Sequence, residues 1–347
     1  MIPLKQLNFL KYFLYFSLIV IIFSNKSFAE GNNNLLWKTS AGNSYSHRFF
    51  SGEQINKDNI KNLTKLWTFN SGSTAALQTV QSPPVFIGNQ LLVVTLKGDL
   101  ISLSPINGET LWKKKLATPL GRRGFTYHES EDSELEGIYV ASGTNIVQLN
   151  KNGEIKKKFL TGLSLVQPFL DEKNLYVATL RNGVKAFDLK TKKEIWSTSL
   201  KKNKVNARVW SGFSFDKETN SLFVVTSNPG GIIGENRSGD DFSASLISIN
   251  ADNGKIKWEY KHVVNDLWDF DLISNPIIVK KLKVIDKKKL INCVIALSKT
   301  GDVIMVDIDT GLPIFDNSYV DVLVQKSDMK NVFTPPTQKF YLKPEKF

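Results

Sequence analysis

The 347-residue chain is 41% apolar and 11% aromatic, enough for a packed core and too much for a disordered chain. Its formal charge of +12 comes from lysines scattered among turns, as in Lys113-Lys114-Lys115, Lys156-Lys157-Lys158 and Lys287-Lys288-Lys289. No arginine–aromatic clustering accompanies them, so a solvated surface is expected and no nucleic-acid partner. Cys293 is the single cysteine, which excludes an intrachain disulfide, and its apolar neighbours predict a buried thiol.

In chain order, Lys5 and Lys11 precede an apolar run at residues 12–23, followed by Ser27-Phe28-Ala29. The run is shorter than the roughly 20 residues of a membrane span, so residues 1–29 are expected to be a cleavable secretory signal. Residues 30–62 read as a polar, poorly periodic arm that leads into a strand-like segment at 63–69. From there to residue 347 one pattern recurs: an apolar strand, an alternating strand, an Asx/Gly turn and a short strand with an aromatic. The closing phrase reads Asn107-Gly108-Glu109-Thr110-Leu111-Trp112 in its clearest copy. It returns before Phe159, Trp196, Trp258 and Phe315. Period-two alternation with frequent turn signals and almost no helical pattern predicts an all-β chain. Self-similarity at this spacing predicts a β-propeller, here with about five blades, whose recurrent aromatic packs one blade against the next.

Side chains with no obvious use in a core gather at residues 208–299. They include Trp210-Ser211-Gly212-Phe213-Ser214-Phe215-Asp216, Ser227-Asn228-Pro229, Asp266-Leu267-Trp268-Asp269-Phe270-Asp271 and Ser298-Lys299-Thr300-Gly301. These residues resemble the periplasmic quinoprotein dehydrogenases, eight-bladed propellers that use pyrroloquinoline quinone (PQQ). Trp210 through Asn220 is similar to the family signature Trp-x4-Tyr-Asp-x3-Asn, with Phe215 at the tyrosine. Arg123-Gly124-Phe125-Thr126-Tyr127-His128-Glu129 and the Asp266–Asp271 motif are similar to segments of the glucose dehydrogenase branch.

The resemblance implies oxidation of an alcohol, polyol or sugar by the quinone, in the periplasm. It implies that Asp269 is the base for the substrate hydroxyl and that Lys299 polarises the quinone oxygens. Trp210 is implied as the stacking platform, Arg123 as the partner of a PQQ carboxylate and His128 as a pocket residue, with Gln81 near the acidic edge of the cofactor. Asn228 falls on a metal-ligand position, for Ca2+. Without a haem-attachment motif, electrons are expected to leave to a separate cytochrome or to ubiquinone.

Two departures stand out. The calcium carboxylate that the family carries before the strand at 183–188 is missing; Thr179-Leu180-Arg181-Asn182 stands there. The blades are also fewer than eight, which leaves three expectations: a truncated or split reading frame, a complementing C-terminal chain, or a ring closed with fewer blades. The competing reading is a non-catalytic propeller, a binding or assembly scaffold similar to the outer-membrane assembly propeller lipoprotein, or a decayed quinoprotein.

Overall fold

The computed structural model describes residues 36–72, 81–202, 205–228, 242–263, 266, 269–284, 289–315, 319–323 and 337–341. The signal expected at residues 1–29 lies outside them, as do Leu267, Trp268 and Pro229 of the motifs above. The chain divides into two compact units, Met1–Leu36 and Trp37–Phe347, and everything below concerns the second.

That unit repeats one antiparallel meander whose strands pair in sequence order. The first blade comprises Val85–Ile87, Leu91–Val94, Asp99–Leu103 and Thr110–Lys115. The second comprises Thr126–His128, Gly137–Ser142, Asn145–Leu149 and Ile155–Leu160. Phe169–Leu170, Asn174–Thr179, Gly183–Asp188 and Glu194–Thr198 make the third. Ser214–Asp216, Ser221–Val225, Ser245–Asn250 and Ile256–Lys261 make the fourth. A fifth sheet has three strands, Ile277–Leu282, Ile291–Leu297 and Val303–Asp307, and a hairpin pairs Tyr319–Leu323 with Thr337–Tyr341. In each of the first four blades the outer hairpin slips by one residue at the same place, for example at Ser248/Ile249.

The blades stack face to face, and each junction holds one apolar cluster. Leu222 and Val224 face the third blade, among Tyr176, Val184 and Trp196; their neighbours Phe223 and Val225 face the fifth, among Ile278, Val294 and Ile304. A strand with both faces covered reads as continuously apolar, which is why Ser221–Val225 is buried throughout. Cys293 is fully buried in the middle strand of the fifth sheet, and burial pushes its thiol up to about 11.

A second contact locks the outer rims. The Trp112 indole donates to the carbonyl of Lys151 at 2.8 Å, Trp196 to Ala251 at 2.8 Å and Trp258 to Ile308 at 3.0 Å, each in the tight turn of the next blade. The turn glycine must be bare: Gly311 has φ +71°, and a Cβ there would lie 2.6 Å from the Trp258 ring. At the junction where the aromatic is Phe159, the turn carries Lys192 in the left-handed region instead of glycine. Phe159 is buried between the second and third blades, as expected of the recurrent aromatic. Phe315 differs and stays half-exposed.

Trp67 makes the same contact with the first blade, donating to the carbonyl of Pro105 at 3.0 Å over Gly108. It therefore holds the place of an outer-strand tryptophan from a preceding blade. Residues 63–69 nevertheless form no strand, because no neighbouring strand among the described residues bonds to them. Upstream, residues 44–47 thread between the innermost strands of the last two blades. Phe215 N donates to the Ser44 carbonyl at 2.8 Å and Ile278 N to the Tyr45 carbonyl at 3.1 Å.

Candidate active site

In an antiparallel meander, the loop entering the innermost strand and the loop after the second strand emerge at the same end. Bridges join these two loops in three blades, at Leu120–Ser142, Val209–Thr226 and Leu272–Ser298. The last is reinforced by Lys299 N donating to the Asp271 carbonyl at 3.2 Å and Ile273 N to that of Leu297 at 3.0 Å. Register alone therefore sets Lys299 beside Asp271, and Asn228 just beyond the Trp210 loop.

At this end lies a cleft of about 330 Å³ lined by Arg123, Trp210, Asp269, Asp271, Leu272, Ile273 and Lys299. The Lys299 ammonium bridges two carboxylates, 2.7 Å from Asp269 Oδ2 and 2.6 Å from Asp271 Oδ1. It hydrogen-bonds Asp269, and its approach to Asp271 is a second charge-assisted contact. The Asp269 side chain is 59% exposed and the Asp271 side chain 6%, so one faces the cleft mouth and the other its floor. Burial pushes the Asp271 carboxyl above its usual range, and Lys299 offsets only part of this. Burial works against the Lys299 charge, but the two carboxylates outweigh it and raise the ammonium. Asp269 has φ +63°, a strained backbone for a non-glycine residue.

Also lining the cleft, the Arg123 guanidinium lies 4.9 Å over the Trp210 ring and donates to the Trp210 carbonyl at 3.1 Å. Burial lowers the Arg123 pKa, and its Nε is buried without a partner. Asn228 Oδ1 is buried and unpartnered as well, while Asn228 N approaches Asp271 Oδ2 at 3.4 Å. Asn275 holds the loop behind Trp210 through its Oδ1, which accepts from Gly212 N at 3.0 Å.

Of the residues expected from sequence, Asp269, Lys299, Trp210 and Arg123 thus share one cleft, with Asn228 next to it. His128 and Gln81 do not line it. His128 ends an innermost strand, its ring edge-on to Tyr139 at 6.1 Å, and burial lowers its pKa. Gln81 is exposed. Asp271 is the lining residue that the motif reading passed over, although its two-residue spacing from Asp269 was a legible signal.

An anionic, flat quinone suits this site: two cations and an indole line one cleft, and the guanidinium carries a spare buried donor. A calcium ion suits it poorly. Among the described residues no three His, Cys, Asp or Glu side chains gather as metal ligands. The two carboxylates present already share the Lys299 ammonium.

The sequence matches the family described as glucose/ethanol/alcohol dehydrogenase, beta-propeller domain (PQQ), over residues 37–162 and 198–347. Among curated proteins it is 23% identical over 363 residues to quinoprotein glucose dehydrogenase A of Acinetobacter calcoaceticus, covering 82% of this chain and 44% of that one. It is 22% identical over 317 residues to quinate/shikimate dehydrogenase (quinone) of Acinetobacter baylyi, covering 70% and 39%. The fold is similar to that of quinohemoprotein alcohol dehydrogenase from Comamonas testosteroni, with TM-score 0.70 at 18% identity, covering 88% of this chain and 52% of that one. The chain thus spans less than half the length of these two curated relatives.

Proposed function

The chain belongs to the β-propeller family of PQQ-containing glucose, ethanol and alcohol dehydrogenases, and from that premise we propose that it carries the quinone site of a periplasmic dehydrogenase for an alcohol, polyol or sugar. The observation behind this reading is the convergence of Arg123, Trp210, Lys299 and a carboxylate pair on one cleft at the loop end of the blades.

PQQ, when bound, supplies a quinone that is reduced by two electrons. Arg123 provides a guanidinium fork for a carboxylate and Trp210 a flat apolar face. The Lys299 ammonium provides a fixed cation toward oxygen, where it stabilises developing negative charge. Asp269 is the base: it stands at the cleft mouth, more than half exposed, where a substrate hydroxyl can hand over its proton. Asp271, buried on the floor, holds the ammonium rather than meeting substrate. The exposed Ile273 gives the mouth an apolar edge, with the buried Leu272 behind it.

Two partners complete the reading. A separate cytochrome or ubiquinone takes the electrons. A complementing segment or chain of the same family supplies the inner strands that residues 63–69 lack, a role suited to the exposed Leu63 and Leu66 beside the docked Trp67. Dye-coupled oxidation of a panel of alcohols, polyols and sugars, by the complemented protein loaded with PQQ, tests this. Asp269→Asn is expected to lower kcat by about 100-fold or more with PQQ affinity retained. An Asp269→Asn protein as active as wild type would sink the assignment of the base.

A further inference from the structure

Resting on the proposed quinone site, we infer that the Lys299 ammonium takes the place of a metal ion, so that the carboxylate pair is built to work without a bound dication.

The ammonium is 2.7 Å from Asp269 Oδ2 and 2.6 Å from Asp271 Oδ1. A calcium ion holding both carboxylates needs oxygens at about 2.3–2.6 Å, and six to eight of them. It would have to occupy the position that the ammonium fills. Among the described residues, the side-chain oxygen beside Asp271 is the neutral Asn228 Oδ1, buried and unpartnered. The corresponding loop of the third blade offers no carboxylate; its Arg181 and Asn182 point to solvent, and Asn182 N is turned back onto Thr179 Oγ1 at 3.0 Å.

Charge gives the same answer. Asp269 and Asp271 contribute two negative charges, Lys299 and Arg123 two positive ones, so the cleft is neutral as it stands. A dication would leave the ligand-free cleft with an excess of two positive charges.

The lysine is also aimed by its backbone. Lys299 N is tied to the Asp271 carbonyl at 3.2 Å. Its hairpin turn is stapled by Asp302, which accepts from Thr300 Oγ1 at 2.5 Å and Ser298 Oγ at 3.3 Å, while Asp302 N donates to Ser298 Oγ at 3.1 Å. A turn held this way delivers the ammonium to one place, as a metal site would deliver its ion.

The test uses the whole chain freed of metal by chelation, with Tb3+ as probe and tryptophan-sensitised luminescence as readout. Wild type is expected to show no stoichiometric Tb3+ site. Lys299→Ala and the longer Lys299→Gln, each verified as folded by circular dichroism, are expected to gain one site at least about tenfold tighter. Asp271→Asn added to either should abolish it. In parallel, the PQQ affinity of wild type should stay within about twofold with chelator or with Ca2+. A stoichiometric Tb3+ site in wild type, failure of both variants to gain one, or a Ca2+ requirement for PQQ would each overturn the inference. Absence of PQQ binding in every condition would retire the proposed function instead, and the Tb3+ result would still decide the ammonium site.

Discussion

At Asp271, burial and pairing pull in opposite directions, and burial wins: the carboxyl sits above its usual pKa despite the ammonium 2.6 Å away. A raised carboxyl pKa means that the ionised form opposes folding above that pKa and ceases to do so as the pH falls through it. Asp271→Asn is therefore expected to raise the Tm of the ligand-free protein at pH 7, with the gain fading as the pH drops into the carboxylate range. A lower Tm at pH 7, followed by thermal melts, would mean that the ion pair outweighs burial. Such a cost belongs to a site kept for function rather than for stability. The four residues that do share the cleft were legible because their motifs all fall in loops at one end of the blades. His128 sits in the same motif as Arg123 yet leaves the cleft, because Arg123 lies in the loop before the innermost strand whereas His128 ends that strand, Thr126–His128, with its ring against Tyr139. A motif gives identity and spacing, whereas strand direction decides which members meet.

At the scale of elements, the repeating Asn-Gly phrase and its aromatic were plain in the sequence, and so was the meander they close. Hidden was the pairing of each outer-strand tryptophan with the glycine of the next blade, about forty to sixty residues on, as Trp258 with Gly311. That contact needs both a left-handed backbone and an absent Cβ. Gly311→Ala is expected to cost about 2–3 kcal/mol in urea unfolding. Trp258→Ala combined with Gly311→Ala should cost less than the sum of the two single changes, because the ring is the clashing partner. Additive losses would show that Gly311 serves its turn alone. The strand expected at 63–69 failed for the complementary reason: period-two apolarity describes a strand only where a neighbour exists to bond it.

Across the whole unit, the arm and the last two blades meet at one buried carboxylate. Asp216 accepts from Tyr45 Oη at 3.1 Å, from Lys280 Nζ at 2.8 Å and from Thr219 Oγ1 at 2.7 Å. Burial pushes its pKa up, but Lys280 and Thr219 together prevail and lower it. Its stabilisation is thus present above the unfolded carboxyl pKa of about 3.9 and lost as the pH falls through the lower folded value. Asp216→Asn, which leaves Lys280 with the exposed Glu218 at 3.0 Å as its remaining ion-pair partner, is expected to cost about 3 kcal/mol at pH 7 and less below about pH 4. A pH-independent penalty in denaturant titrations would assign the loss to packing. The family signature flagged Asp216 as a marker of descent; the structure gives it the work of a clamp.

Trp210, Arg123 and Lys299 together are proposed to form a quinone site. The most direct measurement is a PQQ titration of the folded chain, followed by quinone absorbance and tryptophan fluorescence, with Trp210→Ala alongside. Saturable binding of one PQQ per chain is expected, weakened at least about tenfold by Trp210→Ala. No binding by a chain shown to be folded, or binding indifferent to Trp210, would contradict it.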